Sequence, residues 1–372
     1  MTLKLIKIFL INILIFLTLL LTIELFIFVF SKKNKLDCHY LLCGHTFKYK
    51  TNIHKNIKNY KILYERDEYG FRDRHKELKD IDVLVLGGST TDQRYLKDED
   101  TWINQLQKKL KVYHNKDIDI VNSGIDGQST FGHLWNFENW YNELSSFSPK
   151  YLIFYIGINE QIYLSPKEIE KAREIFDNNK KFSDLNVIKK IKYILKKNNG
   201  VIYQSYKIFR GLKSENYSEV SHSINRKKTN YKNANNKILI NINSKKNFLD
   251  NLNLLYNNSL EIETIPIFIT QKTIRSKKIN NQILSINGLN YFSYEQQISN
   301  IIINFCKEKN MFCINLNESF NLSANDTYDL IHLSPEGSKK LSEFLFERLK
   351  YKLKFLKIKL SKMRSRFITK KF

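Results

Sequence analysis

Residues 82–91 read DVLVLGGSTT, an apolar run that ends in two glycines, a serine and two threonines. The apolar residues are continuous rather than alternating, which is typical of a parallel strand that is covered on both faces. The glycines allow a tight turn, and Ser89 follows them where a helix would start. This stretch therefore predicts an α/β protein with Ser89 at the carboxyl end of the first sheet strand.

The rest of the chain repeats this alternation. Further strands are predicted at residues 119–122, 151–156, 262–270 and 312–316, and helices at 101–110, 131–144, 294–309 and from Pro335 onward. Strands that alternate with helices predict a parallel sheet with helices on both faces. Two stretches fall outside this pattern. Residues 32–78 are expected to be an irregular linker or N-terminal extension, and the Lys- and Asn-rich residues 165–246 an insertion with some helix and a flexible part.

Polar residues and a glycine follow several of these strands at the point where each strand ends. Gly127 comes after the second strand, Asn159 after the third, and Asp329 and His332 after the last. Ligands of open parallel sheets bind at the carboxyl ends of the strands. We therefore expect these four residues and Ser89 to meet at one edge of the sheet.

Ser89 on its own fits several roles. Serine is a common helix N-cap, and a glycine-rich turn can cradle phosphate, although the lysine of the GxxxxGK[ST] pattern is missing here. The third role is that of a catalytic nucleophile, which requires a base and a group that orients the base. Asp329 precedes His332 by three residues, so its carboxylate can accept the Nδ1 proton and leave Nε2 free to act on Ser89. An exposed loop histidine beside an aspartate is also common without catalysis.

A serine nucleophile also needs hydrogen-bond donors for the oxyanion that its attack creates. The candidates are the backbone N–H groups of Ser89 and Gly127 and the side-chain amide of Asn159. Taken singly, Gly127 fits a turn and Asn159 fits a helix cap. The order of all these residues along the chain favours acyl transfer through a serine.

Four short blocks, each after a predicted strand, resemble those of the SGNH (GDSL) hydrolase superfamily. They lie within residues 79–345, apart from the insertion, and read Gly87-Gly88-Ser89-Thr90-Thr91, Asn122-Ser123-Gly124-Ile125-Asp126-Gly127, Gly157-Ile158-Asn159-Glu160 and Asp329-Leu330-Ile331-His332. The resemblance implies a three-layer, flavodoxin-like α/β fold that needs no metal or organic cofactor. It also implies that Ser89 is the nucleophile and His332 the general base, with Asp329 as the group that orients the base. The oxyanion donors that it implies are Ser89, Gly127 and Asn159.

Two residues depart from the pattern of the family. Gly88 and Glu160 stand where its best-known members carry aspartate, which leaves the substrate contacts open. Residues 69–72 (YGFR) also resemble a segment that precedes the serine block in many membrane-tethered bacterial members. Arg72 in that segment is expected to form a surface ion pair or, alternatively, to neutralise a substrate carboxylate.

The N-terminal residues 8–30 read IFLINILIFLTLLLTIELFIFVF, which is long enough to cross a bilayer core of about 30 Å. We expect a single transmembrane helix. A cleaved signal peptide is the alternative, but the apolar run is too long and no small-residue cleavage pattern precedes Ser31. Lysines flank both ends of the run, so the positive-inside rule does not set the orientation.

The chain carries 61 Lys and Arg against 37 Asp and Glu, a net charge of +24. The lysines are spread over the whole sequence rather than gathered on one basic face, so we do not expect a nucleic acid partner. The cysteines form two local pairs without the short CxxC spacing of zinc sites. A disulfide between Cys38 and Cys43 is one option outside the cytoplasm, whereas Cys306 and Cys313 are expected to be simply buried.

The C-terminal residues 346–372 form a basic amphipathic pattern. An apolar stripe at spacings of three and four runs through this segment, at Phe346, Leu349, Leu353, Leu356 and Leu360, with lysines on the other faces. Two interpretations stay open: a solvated basic extension of the last domain helix, or a surface helix on anionic lipid headgroups.

Together these observations predict a membrane anchor (residues 1–31), an extension (32–78), a hydrolase domain (79–345) and a basic tail (346–372). The expected activity is hydrolysis of an ester, such as an O-acetyl or other short acyl group on a cell-envelope carbohydrate, outside the cytoplasm. One alternative is an acyltransferase in which a sugar hydroxyl replaces water. Another is a non-catalytic assembly or carbohydrate-binding protein with the same fold.

Overall fold

The structure, a computed structural model, describes residues 2–30, 36, 40–54, 57–72, 77–163, 186, 190, 217–220, 231–234, 236–237, 240, 242–279, 282–286 and 289–355. Its helices are α1 (Thr2–Phe30), α2 (Ser89–Asp92), α3 (Trp102–His114), α4 (Thr130–Asn139), α5 (Ile242–Glu261), α6 (Tyr291–Glu308), α7 (Leu316–Ser319) and α8 (Pro335–Leu349). Its strands are β1 (Thr46–Thr51), β2 (Tyr60–Glu65), β3 (Val83–Gly87), β4 (Ile120–Asn122), β5 (Tyr151–Ile156), β6 (Ser218–Val220), β7 (Tyr231–Asn233), β8 (Asn236–Lys237), β9 (Ile265–Thr270), β10 (Ser276–Ile279), β11 (Gln282–Ile286), β12 (Leu289–Asn290) and β13 (Cys313–Ile314).

Five parallel strands form the central sheet in the order β13-β9-β5-β3-β4. Numbered along the chain within this sheet, the order is 2-1-3-4-5 read from the β4 edge, which is the flavodoxin-like arrangement. The prediction of a flavodoxin-like parallel sheet is therefore confirmed. Because every strand runs the same way, the loops that follow the strands all lie along one edge.

Alternate side chains of the central strands enter two separate cores. Val83 and Val85 pack with α3 and α8 on one face, whereas Leu84 and Leu86 pack with α4, α5 and α6 on the other. Successive strand residues point to opposite faces, so a strand with two buried faces has no polar side. The predicted three layers follow directly from this burial.

The extension before the sheet is not irregular. β1 and β2 form an antiparallel hairpin, and Tyr60, Ile62 and Tyr64 are buried while the residues between them face outward. This alternation has the period of a half-buried strand. The hairpin was missed because residues 32–78 as a whole are polar, which hid the six-residue pattern YKILYE.

The described parts of the insertion contribute strands to small sheets beside the main one. β6 pairs in parallel with β1, and β7 pairs with β11, the second strand of a hairpin between β9 and α6. β8 pairs with β12. The part of the insertion near residues 225–243, predicted to be flexible, thus includes two of these strands and the first turn of α5.

Two further predictions need correction. Cys306 and Cys313 form a disulfide, with 6.3 Å between their Cα atoms, rather than lying buried as free thiols. Cys43 is also disulfide-bonded, and Cys38 lies outside the described residues. The predicted amphipathic helix from residue 346 ends at Leu349, because Leu353 and Phe355 turn inward and are buried beneath the sheet. Residues 356–372 lie outside the described part.

The N-terminal helix α1 contains a 20-residue segment, Lys4–Ile23, with a mean hydropathy of 2.6 and no part of it buried against the domain. A segment of this length and composition is suited to crossing a membrane or to serving as a signal sequence.

Candidate active site

Ser89 lies at the carboxyl end of β3, in the first turn of α2. Gly87 is the last residue of the strand and Gly88 is the N-cap of the helix, so the chain reverses direction within two residues. The Ser89 side chain is half-buried. Its hydroxyl is thus held by a rigid strand but stays accessible.

Asp329 and His332 lie in the loop before α8 and meet Ser89 there. Nδ1 of His332 is 2.6 Å from Oδ2 of Asp329, and Nε2 of His332 is 2.8 Å from Oγ of Ser89. Oδ1 of Asp329 accepts hydrogen bonds from the backbone N–H groups of Ile331 and His332, at 2.7 and 2.6 Å. A carboxylate, an imidazole and a hydroxyl in this sequence of contacts can pass a proton from the serine to the histidine.

The Asp329 carboxylate is stabilised in its charged form. Burial alone would raise its pKa, but the hydrogen bonds and charge of His332 and the N–H group of Ile331 outweigh burial and lower the pKa below its usual value. The carboxylate is therefore ionised at neutral pH. It fixes the ring orientation and favours a proton on Nδ1.

Tyr328 supports the imidazole from one side. Its ring is stacked on that of His332, with centroids 5.5 Å apart and an angle of 8° between the planes. Tyr328 is itself buried, and His54 from the N-terminal extension packs edge-on against it at 5.4 Å. The extension thus reaches the loop that carries Asp329 and His332. No sequence motif pointed to Tyr328. The one available indication was that it lies four residues before His332, close enough for the two rings to meet.

The candidate oxyanion donors meet around Gly88. Nδ2 of Asn159 donates to the backbone O of Gln128 at 2.7 Å, which joins the loop after β5 to the loop after β4. Gly127 has a φ of +77°, a left-handed conformation that favours glycine, and it is exposed. Within the described residues, no acceptor is hydrogen-bonded to the backbone N–H of Ser89 or Gly127. Both groups are therefore available to a developing oxyanion.

Gly88 stands in a place where a side chain does not fit. A Cβ atom built there would lie 2.3 Å from Nδ2 of Asn159 and 3.1 Å from O of Gln128. The Asn159 amide thus occupies the space beside Gly88, so a side chain at position 88 would have to displace that amide.

Gly88→Ala is expected to displace the Asn159 amide and lower kcat by about 10²-fold, the usual effect of losing one oxyanion donor. The measurement is steady-state hydrolysis of an aryl ester, compared in a double-mutant cycle with Asn159→Ala. If Gly88→Ala acts through Asn159, it has little further effect once Asn159 is alanine. Two fully additive losses would show that Gly88 matters for another reason.

Glu160 is the second departure from the family pattern, and its carboxylate accepts hydrogen bonds from the first residue of α4. It is buried, and its two carboxylate oxygens accept from the backbone N–H and the hydroxyl of Thr130, at 2.7 and 3.0 Å. Burial raises the pKa of Glu160 to about 7, although the Thr130 hydrogen bonds lower it in part. Because Glu160 follows Asn159 directly in the chain, its hydrogen bonds with Thr130 help to hold the loop that carries Asn159.

The raised pKa of Glu160 predicts a pH-dependent stability. Between the ordinary value of 4.5 and about 7, the folded state binds this proton and the unfolded state does not. The free energy of unfolding is therefore expected to fall by about 3 kcal/mol as pH rises across that window. Urea unfolding in detergent, followed by tryptophan fluorescence at pH 4.5 and pH 8, measures the change. Glu160→Gln should abolish most of it. If the free energy of unfolding of Glu160→Gln depended on pH as strongly as that of the parent, the titrating group would be a residue other than Glu160.

Two buried arginines lie beside the turn that follows Ser89. Arg66 is buried and contacts Oδ1 of Asp92 at 2.9 Å and the Tyr64 hydroxyl at 2.7 Å. Arg72 is also buried, and it pairs with Asp98 at 3.0 Å and donates to the Leu96 carbonyl. Arg72 does form an ion pair, but the expectation of a surface position is wrong, because its guanidinium is buried against residues 92–98, which comprise the end of α2 and the segment that follows it.

Arg66 and Asp92 are site-supporting residues that sequence reasoning missed. They lie 26 positions apart, so no local spacing could connect them. Their buried ion pair holds the far end of α2, the helix whose first residue is Ser89.

The sheet order and the loop contacts decide the fold class. The chain has a flavodoxin-like, three-layer α/β fold. In the part of the chain that the structure describes, no group of three or more His, Cys, Asp and Glu residues is arranged to hold a metal ion.

No protein-family model and no curated protein matches the sequence. Solved structures that resemble this chain include an acetyl xylan esterase, with 14% identity, 72% of this chain and 99% of that chain covered, and a TM-score of 0.42. A GDSL-like lipase from Bacteroides thetaiotaomicron has 12% identity, coverage of 75% and 92%, and a TM-score of 0.37. A catalytic mutant of an acetylxylan esterase from Geobacillus stearothermophilus has 13% identity, coverage of 71% and 92%, and a TM-score of 0.39. Identities and TM-scores this low transfer no substrate to this chain.

Proposed function

We propose that this chain is a serine esterase that works through an acyl group on Ser89. The observation that carries the proposal is the contact of 2.8 Å between Nε2 of His332 and Oγ of Ser89, with Asp329 on the other ring nitrogen. A helix N-cap or a phosphate loop would not need an imidazole so placed.

The chemistry follows from the positions of these groups. His332 accepts the proton of the Ser89 hydroxyl as its oxygen attacks the ester carbonyl, and the imidazolium then gives this proton to the departing alcohol. The acyl group stays on Ser89 until a water molecule, which gives a proton to His332, attacks the acyl carbon. The bond to Oγ of Ser89 then breaks, His332 returns the proton to Oγ, and the acid is released. In both steps the oxyanion would take hydrogen bonds from the N–H groups of Ser89 and Gly127 and the amide of Asn159.

The proposed substrate is an O-acetyl or other short acyl ester of a cell-envelope carbohydrate. This choice is supported by the resemblance of the four sequence blocks to SGNH (GDSL) hydrolases and by the apolar α1, which suits attachment to a membrane. The direct assay supplies an acetylated oligosaccharide and a free sugar acceptor together. Free acetate identifies a hydrolase, whereas acetate on the added acceptor would identify a transferase.

We further propose that α1 is a retained anchor and that the domain lies outside the cytoplasm. The disulfide between Cys306 and Cys313 supports this location, because disulfides persist in oxidising compartments and are rare in the cytosol. A membrane-impermeant protease that digests the domain in intact cells would support the location. Digestion only after permeabilisation would overturn it.

Hydrolysis of 4-nitrophenyl acetate by the full chain in detergent tests the esterase proposal. Because the chain carries 61 Lys and Arg residues, lysine amines will also consume some ester, so the comparison with Ser89→Ala is essential. Multiple turnovers that disappear in Ser89→Ala, with intact folding, support the proposal. Equal rates in both proteins would reject it.

A further inference from the structure

The surface opposite the candidate active site has a distinctive composition. We call it the basal face and define it as residues 108–117 at the end of α3 and residues 343–354 around the end of α8. Both helices begin near the site: the Gln93 side chain accepts from the Trp102 N–H at 2.9 Å, and α8 starts three residues after His332. Helices of 13 and 15 residues extend about 20 Å, so their far ends lie at the opposite side of the sheet.

The position of Lys354 also places the basal face on the side of the sheet opposite Ser89. The backbone N–H of Lys354 donates to the Tyr151 hydroxyl at 2.8 Å, and Tyr151 is the first residue of β5. The chain segment after α8 therefore crosses beneath the amino ends of the strands, whereas Ser89 lies at a carboxyl end.

Exposed apolar side chains gather on the basal face. Val112 is 84% exposed, Tyr351 67% and Tyr113 43%. The Tyr113 ring lies edge-on to the rings of Phe346 and Tyr351, with centroids 5.7 and 5.8 Å apart, so these three rings form one patch, and Val112 precedes Tyr113 in the chain. Amphipathic aromatic rings of this kind are favoured where protein meets the headgroup layer of a membrane.

Positive charge surrounds this patch. Residues 108–117 and 343–354 carry eight Lys and Arg against three Asp and Glu, a net charge of 8 − 3 = +5. The three acids are paired with Lys109, Lys111 and Lys350. Within the described residues, the other four lysines have no carboxylate partner: Lys108, Lys116, Lys352 and Lys354. Each such cation near an anionic bilayer contributes about 1 kcal/mol to binding.

The chain leaves the described domain at this same face. Phe355 is buried beneath the sheet, and residues 356–372, which follow it, contain seven Lys and Arg and no Asp or Glu. Basic residues from the domain and from the tail therefore begin at one place. An apolar α1 elsewhere in the same chain suits insertion into a membrane.

We propose that the basal face lies on an anionic membrane surface, with the patch of Val112, Tyr113 and Tyr351 at the headgroup layer. The anchor keeps the domain close to the bilayer, and the basal charges select one orientation. As a consequence, the edge that carries Ser89 and His332 points away from the membrane, toward substrates beyond the headgroups.

The test uses the full chain in lipid nanodiscs, one chain per disc. The native cysteines that the structure describes, Cys43, Cys306 and Cys313, are disulfide-bonded, so a cysteine introduced by Tyr113→Cys takes a fluorophore selectively. Asp126→Cys, at the exposed loop beside Gly127, is the matched control. Lipids with a nitroxide on the headgroup quench fluorophores that touch the surface. In discs that contain phosphatidylglycerol, position 113 should be quenched and position 126 should not.

Charge neutralisation separates the contribution of the lysines. Changing Lys108, Lys116, Lys352 and Lys354 to glutamine should reduce quenching at position 113 to the level seen in discs of phosphatidylcholine alone. Equal quenching at positions 113 and 126, or quenching at 113 that does not depend on anionic lipid, would overturn the proposal. If the fluorophore at position 113 were shielded from quenching only in discs that hold two chains, the basal face would be a contact between copies, and the proposal would be overturned. None of these readouts depends on esterase activity.

Discussion

His332→Ala is expected to lower kcat/KM for an aryl ester by about 10⁴-fold or more, because the Ser89 hydroxyl then loses the group that accepts its proton. Ser89→Ala should cost a similar factor, and the double variant little more, since the two residues act as one unit. This is the largest effect that the site geometry predicts.

The matched control for this prediction is His114→Ala. His114 is the last residue of α3 and belongs to the basal face, on the side of the sheet opposite His332, so its replacement should leave kcat/KM nearly unchanged. Circular dichroism before and after heating verifies that each variant is folded. A His332→Ala protein that keeps its rate within about tenfold of the parent would mean that another base serves Ser89.

Asn159→Ala is expected to lower kcat by about 10² to 10³-fold and to change KM little, because an oxyanion donor acts in the transition state and not on the bound ester. The Asn159 amide already donates one hydrogen to Gln128 at 2.7 Å, which holds it in place and leaves the second hydrogen for the oxyanion.

Asn139→Ala, at the last residue of α4, is the control for the loss of an asparagine elsewhere. Steady-state kinetics that separate kcat from KM are the measurement. If Asn159→Ala raised KM while kcat stayed constant, Asn159 would bind the substrate rather than stabilise the transition state.

The central sheet and the arrangement of the five candidate residues were predictable for a simple reason. Parallel strands buried on both faces have continuous apolar sequences, and the residues that follow them lie at one edge. The stretch YLIFYI of β5 and the stretch VLVLG of β3 are such sequences. Their ends fixed the positions of Asn159 and Ser89.

Contacts between distant parts of the chain were not predictable in this way. The ion pair of Arg66 with Asp92 joins residues that share no motif, and the pairing of β6 with β1 joins segments about 170 residues apart. One sequence carries the pattern of each element but not the partner that it meets.

The disulfide and the end of α8 could not be predicted because both depend on how neighbouring elements pack. Cys306 and Cys313 belong to a helix and the next strand, and whether their side chains approach depends on how tightly the intervening turn packs. In the same way, the spacing of Leu349 and Leu353 fits a helical stripe. Both residues are buried in the core, as a helical stripe would be. Only the packing beneath the sheet shows that the helix ends at Leu349 and that Leu353 is buried by the segment that follows.

Active-site labelling with a fluorophosphonate tests the central claim most directly, because this reagent phosphonylates only an activated serine. In the full chain in detergent, the account predicts one adduct, on the peptide that contains Ser89. It should be absent in Ser89→Ala and much slower in His332→Ala. A folded protein that forms no adduct, or forms it at another serine, would contradict the account.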